Sequence, residues 1–169
     1  VPLSLYDASI PPILRALEVM SGLLNKAEAH AAAEKIDPAH LLEARLAPDM
    51  LPLSAQVQRL SDSAKGAAAR LAGVEVPSFA DEEKSFAELQ ERIAKTIAFV
   101  KGARREDIDG QEAREIVLRP SRAKELTFTG VGYLQGFVLP NIYFHLAIAH
   151  GILRHRGVPI GKLDYLGAA

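Results

Sequence analysis

Hydrophobic residues recur at spacings of three and four along most of the chain, as expected of helices that each bury one face. The plainest run is Leu53, Val57, Leu60, Ala64, Ala67 and Leu71, closed by Gly73 as a C-terminal stop. Nearer the start, Ile13, Leu14, Leu17, Met20, Leu24, Ala27 and Ala31 predict a first long helix over about 5–33. Ser4-Leu-Tyr-Asp7 resembles a capping box with Asp in the fourth place. Pro11 and Pro12 then either open the main helix or kink one that began earlier. Asp37-Pro38, an N-cap followed by proline at the first helical position, predicts a short helix through about Arg45. The segment PDMLP at 48–52 reads as a turn or as the first turn of the second long helix, set at 50–72. Ser85-Phe-Ala-Glu88 is a capping box ahead of the stripe Phe86, Leu89, Ile93, Ile97 and Val100, which predicts a third helix over 86–101.

After a polar, Gly-containing stretch at 102–113, read as a loop, the period changes to two. Ile116 and Leu118 alternate with Val117 and Arg119, and Leu126 and Phe128 with Thr127 and Thr129, on either side of PSRAK. This predicts a small peripheral hairpin. Thr129 is then a suitable N-cap for a last helix over 131–156 that contains no Asp, Glu, Lys or Arg before Arg154. At 100° per residue, Leu134, Val138, Asn141, His145, Ile148 and Ile152 share one side, and Tyr143, Ala147, His150 and Arg154 the other. Pro140 cannot donate to the carbonyl of Gly136, so a kink or local widening is expected beside Asn141. The tail after Gly157 reads as short and extended.

A charge-free run of this length could cross a bilayer. Gln135, Asn141, His145 and His150 on several faces, a proline inside the run and no second run like it favour the central helix of a soluble bundle. The 169 residues suit one domain with a real core, and 49% hydrophobic content with 24% charge is ordinary for a globular protein. A net charge of −1 leaves no nucleic-acid footprint. The absence of cysteine excludes disulfides, thiol catalysis and zinc-finger or iron–sulfur ligation, and is compatible with a cytoplasmic protein. The stretch VPLSLYDASIPP lacks a basic segment followed by an apolar one, so no signal peptide is expected.

Candidate chemistry is sparse. No GxSxG elbow, GxxxxGK[ST] or GxGxxG occurs, and GVGYLQG at 130–136 follows a strand and lacks lysine. The spacing of five between His145, His150 and His155 is wrong for a helical metal pair, which needs three or four. His150 and Arg154 read as surface or subunit contacts, and His30 and His40 as solvated helix-end residues. Asn141 and His145, one turn apart, point the same way. Such a histidine is either a core group bonded to a neighbour or the centre of a pocket. Asp49, Gln56 and Ser63 run seven apart along one flank of the second helix, where solvent is the commoner surrounding. EEK at 82–84 and RRED at 104–107 read as solvated charge.

The stretches ARLAPDMLPLSAQVQ at 44–58 and PNIYFHLAIAHGILRHRGVPIGKLDYLG at 140–167 resemble the bacterial family catalogued as domain of unknown function nineteen-ninety-three. That family is similar to the DinB/YfiT-like four-helix bundles, a superfamily assigned metal chemistry that includes thiol-dependent transferases, an isomerase and damage-inducible proteins. In its metal-binding members one histidine of the second helix and two histidines four apart on the last helix hold a divalent ion. The resemblance places His145 at the final ligand position, Asn141 at the one before it and Gln56 at the remaining one. Asn and Gln offer neutral amide oxygens, which are poor donors for zinc or nickel compared with imidazole.

The expected fold is therefore an all-α antiparallel four-helix bundle with a short extra helix and a hairpin before the last helix, packed at roughly 20° crossing angles. The expected function is non-catalytic small-molecule binding or a structural role, with no cofactor. The alternative is a metal- or histidine-dependent enzyme, of transferase or hydrolase type, acting through an interhelical pocket at His145, with zinc or nickel as the candidate ion. The candidate pocket comprises His145, Asn141, Gln56 and Asp49. The apolar character of several faces of the last helix predicts a homodimer that buries the Tyr143 side, with a small molecule as the other candidate partner and neither nucleic acid nor membrane expected.

Overall fold

The computed structural model describes residues 3–119 and 124–168. Four long helices form the bundle: α1 (Leu5–Glu34), α3 (Leu53–Ala72), α4 (Phe86–Lys101) and α6 (Gly130–His155). Three short ones, α2 (Pro38–Leu42), α5 (Arg105–Ile108) and α7 (Lys162–Tyr165), lie on the connections and the tail. The packing runs in a ring, α1 against α4, α4 against α3, α3 against α6 and α6 back against α1. Of the consecutive pairs, α4/α6 lie across the ring, while α1 and α3 also touch, about as closely as α1 and α6. The link between α4 and α6, 102–129, must cross the end of the bundle, which explains its length.

Local signals set most of the ends. The Ser4 hydroxyl accepts the Asp7 N–H at 3.2 Å, so α1 starts ahead of its two prolines, which sit inside the helix. Ser85 and Glu88 close a full capping box, and Thr129 accepts the Gly132 N–H at 3.1 Å. Helix α3 begins later than the pattern predicts. Pro52 is its extended N-cap residue, and PDMLP is a turn before it. Two stretches read as irregular each contain one helical turn held by distant contacts. In α5, Arg105 pairs with Asp7 and Asp109, and in α7, Asp164 pairs with Lys26.

The hairpin forms from β1 (Ile116–Leu118) and β2 (Leu126–Phe128), antiparallel, with Val117 opposite Thr127. The Pro120–Ala123 part of its turn lies outside the described residues. Phe128 meets Tyr133 and Phe137 with ring centroids 5.9 Å away, and Arg70 donates to the Tyr133 hydroxyl at 2.9 Å, tying the hairpin to α3 and α6. At the junction Gly130 leaves no room for a side chain, since a Cβ there would stand 2.4 Å from the Gln111 carbonyl oxygen.

Helix α6 is long and apolar enough, by length and composition alone, to cross a membrane. In this fold it packs between α3 and α1. Its second turn, Leu134–Val138, is a π-turn, with the Leu139 N–H bonded to the Leu134 carbonyl. This is the local widening expected beside Pro140. It also corrects the helical wheel, because a π-turn takes up an extra residue and rotates the N-terminal part of the helix against the C-terminal part. Leu134 and Val138 line up with Ile142, Leu146, Ala149 and Leu153, all buried, and Ile152 stays buried as predicted, while Asn141, His145 and Ile148 move to the partly buried flank.

Candidate functional site

Helix α6 has two seams, one against α3 and one against α1, and chemistry-bearing side chains lie on both. On the α3 seam His145 meets Gln56, with 2.8 Å between Nδ1 and Oε1. The Gln56 amide is oriented by its other end, since Nε2 donates to the Leu51 carbonyl at 3.0 Å. Oε1 can only accept, so Nδ1 of His145 carries the proton and Nε2 keeps its lone pair. Gln56 is 2% exposed, and His145 is half-buried. Burial first, and the nearby Arg59 cation second, hold the imidazole below its ordinary pKa, and it is neutral at pH 7.

Of the four candidate pocket residues the fold brings only these two together. Asn141 turns to its own helix, where Nδ2 donates to the Phe137 carbonyl at 2.6 Å, next to the place where Pro140 breaks the backbone pattern. Asp49 is exposed on the turn before α3 and does not join the pair. It was expected at the start of a helix that in fact begins at Leu53.

As a donor set for zinc or nickel these residues are poor. His145 Nε2 is the one imidazole nitrogen they offer, and Gln56 Oε1 and Asn141 Oδ1 could add only neutral amide oxygens. Among the described residues no three His, Cys, Asp or Glu side chains come together in a geometry suited to a metal.

The α1 seam is open. A groove of about 530 Å³ runs between α1, α6 and the tail, walled by Pro11 and Pro12, floored by Val19 and Leu146, and flanked by Tyr143 and Tyr165. The tail is clamped beside it, with the Arg15 guanidinium donating to the Leu166 carbonyl, Lys26 paired with Asp164, and His150 Nε2 donating to the Gly161 carbonyl at 3.0 Å. His150, read as a surface group, is thus a tail anchor, with its ring edge-on to Tyr165. Burial, and then the neighbouring Tyr143, push the Tyr165 phenol above its ordinary pKa, so it stays a hydroxyl donor. Tyr143 and Phe144, on the side assigned to a dimer contact, are 43% and 54% exposed, and Tyr143 walls the groove.

The sequence reading passed over Arg92. This α4 residue is only 3% exposed and donates to Ser61, Asp62, Glu83 and the Ala80 carbonyl. Glu83, within the EEK stretch read as solvated, is held there. Burial opposes its ionisation, but the bonds from Arg92 and Gln58 outweigh it and leave the carboxyl below its ordinary pKa. The signal was present, since Arg92 falls three residues after Leu89 and one before Ile93, on the buried stripe. This network pins the 73–85 connection to α3 and α4 and lies away from both seams of α6.

A family model described as "Domain of unknown function (DUF1993)" matches residues 5–166. The chain is also similar to a solved structure, that of a DinB family member protein from Shewanella denitrificans. The two are 38% identical with a TM-score of 0.88, over 98% of this chain and 93% of that one. No curated protein matches the chain.

Proposed function

Since the chain belongs to the DUF1993 family, with a DinB family member as its structural neighbour, we propose that it is a non-catalytic binding bundle. In this reading the position associated with metal ligands in the wider superfamily has become a hydrogen-bonded packing pair. The observation that supports it is the relay from His145 through Gln56 to the Leu51 carbonyl. It ties the imidazole to a neutral amide, whose oxygen is a poor donor for zinc or nickel compared with a second imidazole. Gln56 is also a neutral amide where a histidine-based catalyst would place a carboxylate to stabilise the imidazolium.

One feature favours the alternative of a histidine-dependent enzyme. His145 Nε2 has its lone pair available on a neutral, half-buried ring. A general base of that kind needs a nucleophile or substrate proton within about 3 Å. The hydrogen bonds of the described residues pair His145 with Gln56 alone.

The test is elemental analysis of protein purified without chelator or histidine tag. Zinc and nickel well below one atom per chain are expected, and about one atom per chain would overturn the ligand argument.

A further inference from the structure

We propose that the groove between α1, α6 and the tail is a binding site for an aryl carboxylate, with Arg15 receiving the carboxylate. This deepens the binding reading above and rests on it only in taking the occupant to be bound unchanged.

Charge decides the class of ligand. Two formal charges line the groove, those of Asp7 and Arg15. Asp7 is paired with Arg105, whose guanidinium also reaches Ser4 and Asp109. Arg15 takes part in no ion pair among the described residues, and its one protein acceptor is the Leu166 carbonyl. A guanidinium carries five N–H donors in a planar fork that matches a carboxylate. Among the described residues Arg15 is therefore the groove's cation outside any ion pair, with donors to spare.

Shape and chemistry decide the rest of the ligand. Pro11 and Pro12 offer flat apolar faces, and Tyr143 and Tyr165 offer ring faces with a hydroxyl at the rim, over an aliphatic floor at Val19 and Leu146. Such walls favour a planar aromatic body, and the phenols can donate to the same carboxylate or to a ring substituent. The volume of about 530 Å³ lies within the ordinary range for a small-molecule site. The tail that closes one side is fixed by the contacts of Arg15, Lys26 and His150, so the site is largely formed before a ligand arrives.

The experiment is titration of the full chain with indole-3-acetate and with its neutral amide, followed by calorimetry and amide chemical shifts. Saturable binding of the acid is expected, with the amide and the Arg15→Gln variant each weaker by about tenfold or more, as loss of a charge-assisted pair implies. Shift changes should centre on residues 11–19, 143–146 and 165–166. If Arg15→Gln loosens the tail, the acid-against-amide ratio and the shift map on the wild type still decide the matter. Equal binding of acid and amide, changes centred on Gln56 and His145, or a dimer by sedimentation that buries Tyr143 and admits no ligand would each overturn the site. Arg15-dependent chemical conversion of the probe would keep the site and overturn the non-catalytic reading, so the two failures are distinguishable.

Discussion

The two seams of α6 solve the same packing problem in opposite ways. Against α3, polar side chains enter the interface and satisfy one another, with His145 bonded to Gln56 and Gln56 bonded to the Leu51 carbonyl. Against α1, the polar groups stay at the rim, and a groove of about 530 Å³ remains between Pro11, Tyr143 and Tyr165. A buried polar group left unpaired is costly, so a seam that takes in amides and imidazoles is driven to close around them. A seam lined by prolines and aromatic faces carries no such demand and can stay open. In the proposed reading, the positions that invite a functional role by resemblance serve packing, and the groove with an unpaired Arg15 lies on the other side of the helix.

The comparison breaks most visibly at Gln56. Replacing it by Ala removes two hydrogen bonds, leaves the His145 Nδ1–H without its partner and opens a cavity at a fully packed position. The expected loss is about 2 to 4 kcal/mol in urea unfolding. A loss under about 0.5 kcal/mol would mean that the α3 seam is loosely packed around this pair.

A smaller effect is expected from pH. His145 in the folded chain has a pKa below the ordinary 6.5 because burial disfavours its charged form. The unfolded chain therefore binds this proton first. The stability associated with neutral His145 is present above about pH 6.5 and is lost as pH falls below it, towards the lowered folded pKa. Measured as the difference between wild type and His145→Gln, the extra destabilisation below about pH 6.5 should vanish in the variant. Parallel pH profiles would show that the ring is not desolvated.

The smallest effect on stability belongs to the open seam. Arg15 is exposed and bonded to one carbonyl, so Arg15→Gln should change unfolding by no more than about 0.5 kcal/mol while weakening aryl carboxylate binding. A large loss of stability would show that its bond to the Leu166 carbonyl holds the tail, and the acid-against-amide ratio on the wild type would then decide its part in binding.

The bundle was legible because its instructions are local. Ser4, Asp37, Ser85 and Thr129 each accept a backbone N–H one turn into the helix they open, and Gly73 ends α3 in a left-handed conformation. What escaped reading depends on long-range contacts or on a break in period. The single turns α5 and α7 exist because Arg105 reaches Asp7 and Asp164 reaches Lys26, across most of the chain length. The wheel on α6 assumed an unbroken period of 3.6, and the π-turn at Leu134–Val138 shifted the buried line by one residue. Asn141 bonds to the Phe137 carbonyl one turn back rather than joining the pair. Asp49 was placed in the candidate pocket by a spacing of seven that holds only if α3 begins before Pro52. The groove is assembled from the first helix and the last residues, so no window of sequence contains it.

The most direct test of the contrast is His145→Ala beside wild type, each unfolded in urea and each titrated with indole-3-acetate. If the α3 seam is a packing pair and the α1 seam the binding site, the variant unfolds at a lower urea concentration, by about 1 to 3 kcal/mol for the orphaned Gln56 acceptor and lost packing, and binds the acid as the wild type does. Unchanged unfolding together with lost binding would contradict the account and return His145 to the centre of the site.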